Sequence, residues 1–242
     1  MVNRSVIVTG GLGDIGLAVA RAFAAEGAKI LLVDVREDET GVAESLLKDG
    51  ASEAVSFAAD VSYEDSVAAA VELAVKRFGG LDVVVNTAGC MIYKPFAELK
   101  ASDWSRLLRV NFIGAALYTG HALRTMKSGG AVVNIASVHA RRTSPLVAPY
   151  AAAKAALVSM TRSAAIEGKP LGIRVNAILP GAIDTQMLRD SPNIKSGAEV
   201  LDPQDVGQPE DVAALAYFLA SDAARFITGE DVVADGGRMG RL

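Results

Sequence analysis

The sequence predicts an α/β fold: one doubly wound parallel sheet of seven strands, with helices on both faces. Three observations predict it. Seven short apolar runs alternate with longer alanine-rich segments along the chain. The runs are continuously apolar, as in parallel strands buried on both faces, rather than alternating as in strands with one wet face. A glycine cluster, TGGLGDIG at 9–16, joins the first run to the first helical segment. This alternation closes into right-handed crossovers and a layered α/β architecture.

The elements follow in order. SVIVT (5–9), KILLVD (29–34), AVSFAAD (54–60), LDVVVN (81–86), AVVNIAS (131–137), IRVNAIL (173–179) and EDVVAD (230–235) read as strands. Residues 15–26 place Ile15, Val19, Ala22 and Phe23 on one helical stripe. Helices are also expected over 64–78, 102–127, 150–167 and 209–221. No linker, repeat or low-complexity block divides the chain, so one catalytic domain is expected over 1–242. Residues 184–208 are polar, contain two prolines, with a third at 209, and have weak periodicity. A long irregular insert of this kind is expected to be a substrate lid.

Composition narrows the function classes. Half of the 242 residues (51%) are hydrophobic and 21% are charged, which supports a large core and argues against disorder. With 24 basic and 28 acidic residues the formal net charge is −4, and no basic run offers a footprint for nucleic acid. No uncharged apolar run reaches the roughly 18 residues of a membrane helix. The apolar core of MVNRSVIVTGG is too short for a signal peptide. Cys90 stands alone and has no partner for an internal disulfide, which fits a reducing compartment. A cytoplasmic location is expected. No His and carboxylate–Cys cluster marks a metal site.

The glycine cluster fits two spacings. GxGxxG falls on Gly11, Gly13 and Gly16. TGxxxGxG falls on Thr9, Gly10 and Gly16, with Asp14 where its middle glycine belongs. A strand precedes the cluster and a helix follows it, so free N–H groups and a partial positive charge are available to a pyrophosphate. The second strand ends in Asp34, 18 residues after Gly16, where a carboxylate can accept hydrogen bonds from an adenosine ribose. Asp34 would repel a 2′-phosphate and so favours NAD over NADP. Arg36 is a counter-signal, expected to point to solvent.

A second constellation lies downstream. In YAAAK (150–154), Tyr150 and Lys154 are four apart and share a helix face, with Pro149 suited to the first turn. A free phenol titrates near ~10. A neighbouring ammonium favours the phenolate by about 1–3 pKa units. Ser137 closes the buried run NIAS, in the zone where open α/β sheets bind ligands, and is placed to donate to a reacting oxygen or to cap a turn. Asn111, in RVNFIG, is a poor fit to the helical segment around it.

Together these residues resemble the short-chain dehydrogenase/reductase family. The likeness rests on TGGLGDIG, Asp34, ADV at 59–61, NTAG at 86–89, Asn111, Ser137, YAAAK, LPGAIDT at 179–185 and ITGEDVVADGG at 227–237. It spans essentially the whole chain. The resemblance implies a Rossmann fold, a nicotinamide cofactor (NAD, given Asp34) and a homotetramer or dimer. It implies Tyr150 as general acid/base and Lys154 as the group that lowers its pKa and holds the nicotinamide ribose. Ser137 would hold the reacting oxygen, and Asn111 would anchor a proton-relaying water. Cofactor contacts are implied for Gly10, Leu12, Asp14, Ile15 and Gly16 in the turn. Asp60 and Val61 would flank the adenine. Asn86, Ala88 and Gly89 would line the cofactor from the fourth strand. Pro180, Gly181, Ile183 and Thr185 would close over the nicotinamide.

Two departures stand out. Asp14 replaces the middle glycine. Asp tolerates a left-handed conformation, and its carboxylate is expected to point away from the pyrophosphate. Thr87 replaces the second Asn of the family's NNAG, with its hydroxyl expected to make part of the same hydrogen-bond set. The substrate pocket is expected from CMIYKPF, the 138–148 stretch and the lid. Arg141 and Arg142 suit a carboxylate or phosphate, or else face solvent or a neighbouring subunit. His139 suits a substrate hydroxyl or a structural role. The terminal RMGRL is expected to reach a neighbour's active site, where Arg238 and Arg241 would be a second way to bind an anion. The expected function is NAD-dependent hydride transfer between a nicotinamide and a secondary alcohol or ketone. A polar or anionic substrate is expected, such as a sugar acid, polyol or hydroxy acid. The alternatives are a 3-oxoacyl-thioester reductase and a non-catalytic NAD-binding regulator.

Overall fold

A computed structural model describes residues 2–197 and 199–240. Seven parallel strands form one sheet: β1 (Ser5–Thr9), β2 (Lys29–Asp34), β3 (Glu53–Ala58), β4 (Val83–Asn86), β5 (Ala131–Ile135), β6 (Arg174–Pro180) and β9 (Asp231–Ala234). Their spatial order is β3-β2-β1-β4-β5-β6-β9. Two further two-residue strands, β7 (Ala182–Ile183) and β8 (Val206–Gly207), pair with each other. Every expected strand is present, with ends shifted by up to two residues.

The continuous apolar runs have the expected consequence. Successive residues of one strand enter opposite cores. Val6, Val8, Ile30, Leu32, Val83 and Val85 pack on one face under α1 (Asp14–Ala24) and α9 (Pro209–Ala220), against Val19, Phe23, Val212 and Leu219. Ile7, Leu31, Val33, Val84, Val132 and Val175 pack on the other. That face is covered by α3 (Glu64–Phe78), α5 (Gly114–Thr125) and α6 (Ala148–Gly168). The edge strands β3 and β9 are only half-buried. A short helix, α2 (Val42–Lys48), lies between β2 and β3 and was not anticipated from sequence; its seven residues bury only Leu46.

Two other departures bear on function. The long helix expected over 102–127 is divided. α4 (Ala101–Leu108) passes through a widened π-turn, Arg109–Ile113, into α5. Asn111 sits in that turn, where its Nδ2 donates to the Leu107 carbonyl at 3.0 Å. The side-chain amide thus satisfies a carbonyl of the preceding turn. The lid is more regular than its composition suggests. It holds α7 (Gln186–Arg189), α8 (Pro192–Lys195) and β8.

The functional end of α6 is fixed by a buried line of polar side chains. Asn86 Nδ2 donates to Asn134 Oδ1 at 2.8 Å, Asn134 Nδ2 donates to Thr161 Oγ1 at 2.9 Å, and Thr161 Oγ1 donates to the Leu157 carbonyl at 2.9 Å. This line joins β4, β5 and α6 beneath Tyr150 and Lys154. We expect Asn134→Ala to destabilise the protein by about 1–3 kcal/mol, because it strands the buried amide of Asn86. Urea unfolding should show the loss, and a change below ~0.5 kcal/mol would contradict it.

Candidate active site

The carboxyl ends of the strands carry the site, and the sheet order reverses between β1 and β4. In open α/β sheets, ligands bind where the order reverses. A cavity of about 780 Å3 lies there, within the usual range for ligand sites.

The glycine turn explains itself in atomic detail. Gly10 has φ +62°, and a Cβ there would press against the Ala88 backbone at 2.9 Å. A Cβ on Gly16 would collide with the carbonyl oxygen of Gly10. Gly16 belongs to both spacings; Gly10, which needs its positive φ, belongs to TGxxxGxG alone, whereas Gly13, required only by GxGxxG, would bring a Cβ no nearer than 3.3 Å to the Gly10 carbonyl oxygen. Asp14 does not need a left-handed conformation, contrary to the sequence-based expectation. It is the first residue of α1, and its side chain turns to the lid, where Oδ2 accepts from Gln186 N at 2.7 Å. Gly10, Leu12, Asp14, Ile15, Gly16, Asp34, Asp60, Val61, Ala88, Gly89 and Thr185 all line this cavity. The turn, the glycines and the start of α1 fit the pyrophosphate of a dinucleotide, since unpaired helix N–H groups favour phosphate.

Asn86 is placed differently. It does not line the cavity but is buried in the line to Asn134. Thr87 makes part of the expected hydrogen-bond set: its Oγ1 donates to the Thr9 carbonyl, and Thr9 Oγ1 accepts from Ala88 N.

Asp34 is buried at the end of β2. Its Oδ2 accepts from Leu12 N at 3.1 Å, and its Oδ1 accepts from Arg36 N at 3.1 Å and Arg36 Nε at 3.0 Å. Burial works to raise its pKa, but the hydrogen bonds from Arg36 and Leu12 outweigh it and hold the carboxyl below its ordinary value. Arg36 therefore folds back on Asp34 instead of pointing freely to solvent, although its side chain remains 60% exposed.

A second cleft adjoins the first. Ser137, His139, Tyr150, Lys154, Pro180, Gly181, Ile183 and Thr185 line it. Lys154 Nζ donates to the Ile135 carbonyl at 2.8 Å and lies 5.6 Å from the Tyr150 ring centre. Asn111 is buried: its Oδ1 accepts from Cys90 N at 3.2 Å. A Cβ on Gly89 would lie 2.9 Å from Asn111 Oδ1 and 3.7 Å from Lys154 Nζ, so glycine is required where these side chains converge. Ser137 Oγ accepts from His139 N at 3.1 Å and so also caps the short turn that follows.

The electrostatics correct one expectation. Burial pushes the Tyr150 phenol up to about 12, opposed by a hydrogen bond from Ser137, and drives Lys154 down to about 8. Desolvation thus outweighs the Ser137 hydrogen bond, and the phenol is not brought toward neutrality in the chain by itself. Both groups are costly to ionise here, and ligand charge in the adjoining cavity acts on them in low dielectric.

The proposed anion-binding arginines are not brought to the cleft. The Arg141 guanidinium pairs with Asp231 at the start of β9, together with Arg162 Nη2 at 2.6 Å. Arg142 is exposed and also does not line the cleft. Arg238 does line it, within its own chain, with Glu199, Asn193, Tyr93 and Met187. Arg241 lies outside the described residues. The tail had been singled out in the sequence, but Glu199 carried no signal there. Among the described residues no group of three His, Cys, Asp or Glu could hold a metal ion, and no helix is long and apolar enough to cross a membrane.

With Tyr150 as the expected acid/base, its base form becomes more populated as pH rises toward its raised pKa. Alcohol oxidation should therefore gain in kcat/KM from pH 7 to 9. Lys154→Met should lower kcat/KM by about 10²-fold or more and change the profile near pH 8, where Lys154 itself titrates. A pH profile unchanged by the substitution would contradict the coupling.

Comparison with known proteins identifies the family. The model of the enoyl-(acyl carrier protein) reductase family matches residues 12–238. The cis-4-hydroxycyclohexanecarboxylate dehydrogenase of Sinomonas cyclohexanicum is 39% identical over 240 residues, covering 97% of this chain and 96% of that protein. The 3beta-hydroxysteroid dehydrogenase 1 of Eggerthella lenta is 38% identical over 245 residues, covering 97% and 93%. A short chain dehydrogenase from Burkholderia cenocepacia J2315, solved in complex with NADP, superposes with a TM-score of 0.89 at 32% identity, covering 97% of each chain. With the glycine turn, Ser137, Tyr150 and Lys154 gathered at the reversal of the sheet, the chain belongs to the short-chain dehydrogenase/reductase family, oxidoreductases acting on CH–OH groups.

Proposed function

We propose that this protein is an NAD-preferring dehydrogenase of secondary alcohols carried on a saturated ring, with a polar or anionic group elsewhere on the ring. The observation that carries this reading is the wall of the cleft beyond Tyr150. Met91, Tyr93, Val138, Val147, Met187 and Leu188 make much of it apolar, His139, Ser144, Ser191 and Asn193 add neutral polar groups, and Glu199 and Arg238 are its charged pair. A polyol or sugar acid would leave several hydroxyls against these side chains, at about 1–3 kcal/mol for each unpaired group. A ring alcohol buries its carbons there without that cost. The names of two relatives, a hydroxycyclohexanecarboxylate dehydrogenase and a hydroxysteroid dehydrogenase, support the same class.

In the reaction Tyr150 Oη accepts the substrate hydroxyl proton while the carbinol C–H leaves as hydride and the carbonyl forms. Ser137 Oγ hydrogen-bonds the reacting oxygen, and the Lys154 ammonium stabilises negative charge on the phenol oxygen. A bound nicotinamide dinucleotide supplies the hydride acceptor. The residues that would hold it are Gly10, Leu12, Ile15 and Gly16 at the phosphates and Asp34 at the ribose. Asp60 and Val61 would lie at the adenine, and Pro180, Gly181, Ile183 and Thr185 at the nicotinamide. Asp34 supports NAD, because an ionised carboxylate at this place opposes a 2′-phosphate. Self-association, as a homotetramer, is supported by the exposed apolar side chains Ile166, Phe218 and Phe226.

Reduction of NAD⁺ followed at 340 nm, with ring alcohols, sugar acids, polyols and 3-hydroxyacyl thioesters, tests the substrate class. Turnover of the thioester alone would replace this reading with acyl-thioester reduction. Tyr150→Phe should lower kcat by about 10²–10⁴-fold while leaving dinucleotide binding nearly intact. Asp34→Ala frees Arg36 and should shift the NADP⁺/NAD⁺ ratio of kcat/KM at least tenfold toward NADP⁺. An unchanged ratio would sink the role of Asp34.

A further inference from the structure

Arg238 and Glu199 meet inside the cleft from two different parts of the chain. Arg238 stands on the turn after β9. That turn is held by Asp235, whose carboxylate accepts from Gly237 N at 2.9 Å and Met239 N at 2.6 Å. The Asp235 Cβ in turn packs so tightly on Gly181 that a Cβ on the glycine would come within 2.7 Å. Glu199 belongs to the lid, where its N–H donates to the Asn193 carbonyl at 2.9 Å. The arginine therefore rides on the sheet, and the glutamate rides on the segment that covers it.

Their contact is a single one: Arg238 Nη2 donates to Glu199 Oε1 at 2.6 Å. Nε and Nη1 of Arg238 have no partner among the described residues. The side chains are 20% and 25% exposed. A largely covered guanidinium with donors to spare can take a planar acceptor on two N–H groups, as carboxylates are taken. The pair is close to the chemistry. His139 lies edge-on to the Tyr150 ring at 5.9 Å and feels the charges of both Glu199 and Arg238. Its Nδ1 is buried without a partner. Burial holds its pKa below the ordinary value, so the imidazole is neutral at pH 7 and adds no cation of its own. Of the charged residues lining the cleft, Lys154 is engaged with the Ile135 carbonyl at the reacting end. Arg238 is left as the cation at the other end.

We propose that Arg238 is the specificity-determining residue for the carboxylate of a carboxylated ring alcohol, and that Glu199 is the internal anion the carboxylate displaces. The assignment deepens the ring-alcohol reading and rests on it for the substrate body. Neutral substrates leave the Arg238–Glu199 pair closed. Carboxylated ones exchange one carboxylate for another on the same guanidinium and release the lid's Glu199.

The test uses ligands without a reacting hydroxyl, so it does not depend on turnover. Cyclohexanecarboxylate and its carboxamide are titrated into the enzyme saturated with NADH, with nucleotide fluorescence as the readout. The wild type should bind the acid at least tenfold more tightly than the amide. Arg238→Gln should abolish that difference by weakening the acid. Glu199→Gln should tighten the acid several-fold and leave the amide unchanged. Equal affinity for acid and amide in the wild type, failure of both to bind, or equal weakening of both by Arg238→Gln would overturn the proposal. Thermal melting of each variant separates misfolding from loss of recognition. Selective acid binding that depends on Arg238, without oxidation of any ring alcohol, would keep the anion site and discard the ring-alcohol reading. Oxidation of neutral ring alcohols with no acid preference would do the reverse.

Discussion

The buried amide line from Asn86 through Asn134 to Thr161 is the interaction on which the active site depends. A parallel sheet offers only backbone hydrogen bonds between its strands, and apolar packing alone leaves a helix free to slide by small amounts over its surface. Side-chain amides are directional. By joining β4 and β5 to the middle of α6, they set the height and rotation of the helix that carries Tyr150 and Lys154. Buried polar groups are costly unless paired, and the line pairs both amide groups of Asn134 and the Nδ2 of Asn86, leaving only Asn86 Oδ1 without a partner. That pairing converts a generic layer packing into a defined position for Tyr150 and Lys154.

The same economy appears at the other catalytic groups. Asn111 occupies a widened helical turn because its amide satisfies the Leu107 carbonyl and binds the Cys90 backbone. The irregularity ties α4 and α5 to the loop after β4. Gly89 in that loop must lack a side chain because Asn111 and Lys154 close on it. Tyr150 and Lys154 are held in a dry environment that opposes their ionised forms. A site of this kind is poorly charged by itself and responds strongly to charge brought in by ligands, which suits a catalyst that works when cofactor and substrate are both present.

The lid is linked to the framework by charge at two places. Asp14, at the start of α1, accepts from Gln186 at the lid's first helix, and Arg238 holds Glu199 near its far end. Asp14 stands at one of the family's glycine positions, so a departure in the phosphate turn is also a contact that orders the lid. The two ends of the lid thus report on the two halves of the cleft, the dinucleotide side through Asp14 and the substrate side through Glu199.

Much of this was legible in the sequence. The strands, most of the helices, the glycine turn and the Ser137–Tyr150–Lys154 set are carried by local periodicity, short spacings and turn chemistry, which a linear string records directly. Even Asn111 was visible as a residue out of place in its helix. What escaped depends on contacts between distant segments. Asn86 looked like a cofactor residue until its amide met Asn134 across the sheet. Arg141 looked like an anion site until β9 brought Asp231 to it. Arg36 folded back to Asp34, and the phenol of Tyr150 rose because burial outweighed its hydrogen bond from Ser137. The sequence by itself determined the fold class and singled out the candidate acid–base residues, because these follow from residue type and spacing. Only the tertiary structure decided which charges face the substrate and how strongly each group ionises, because partner choice and desolvation depend on what lies close in space.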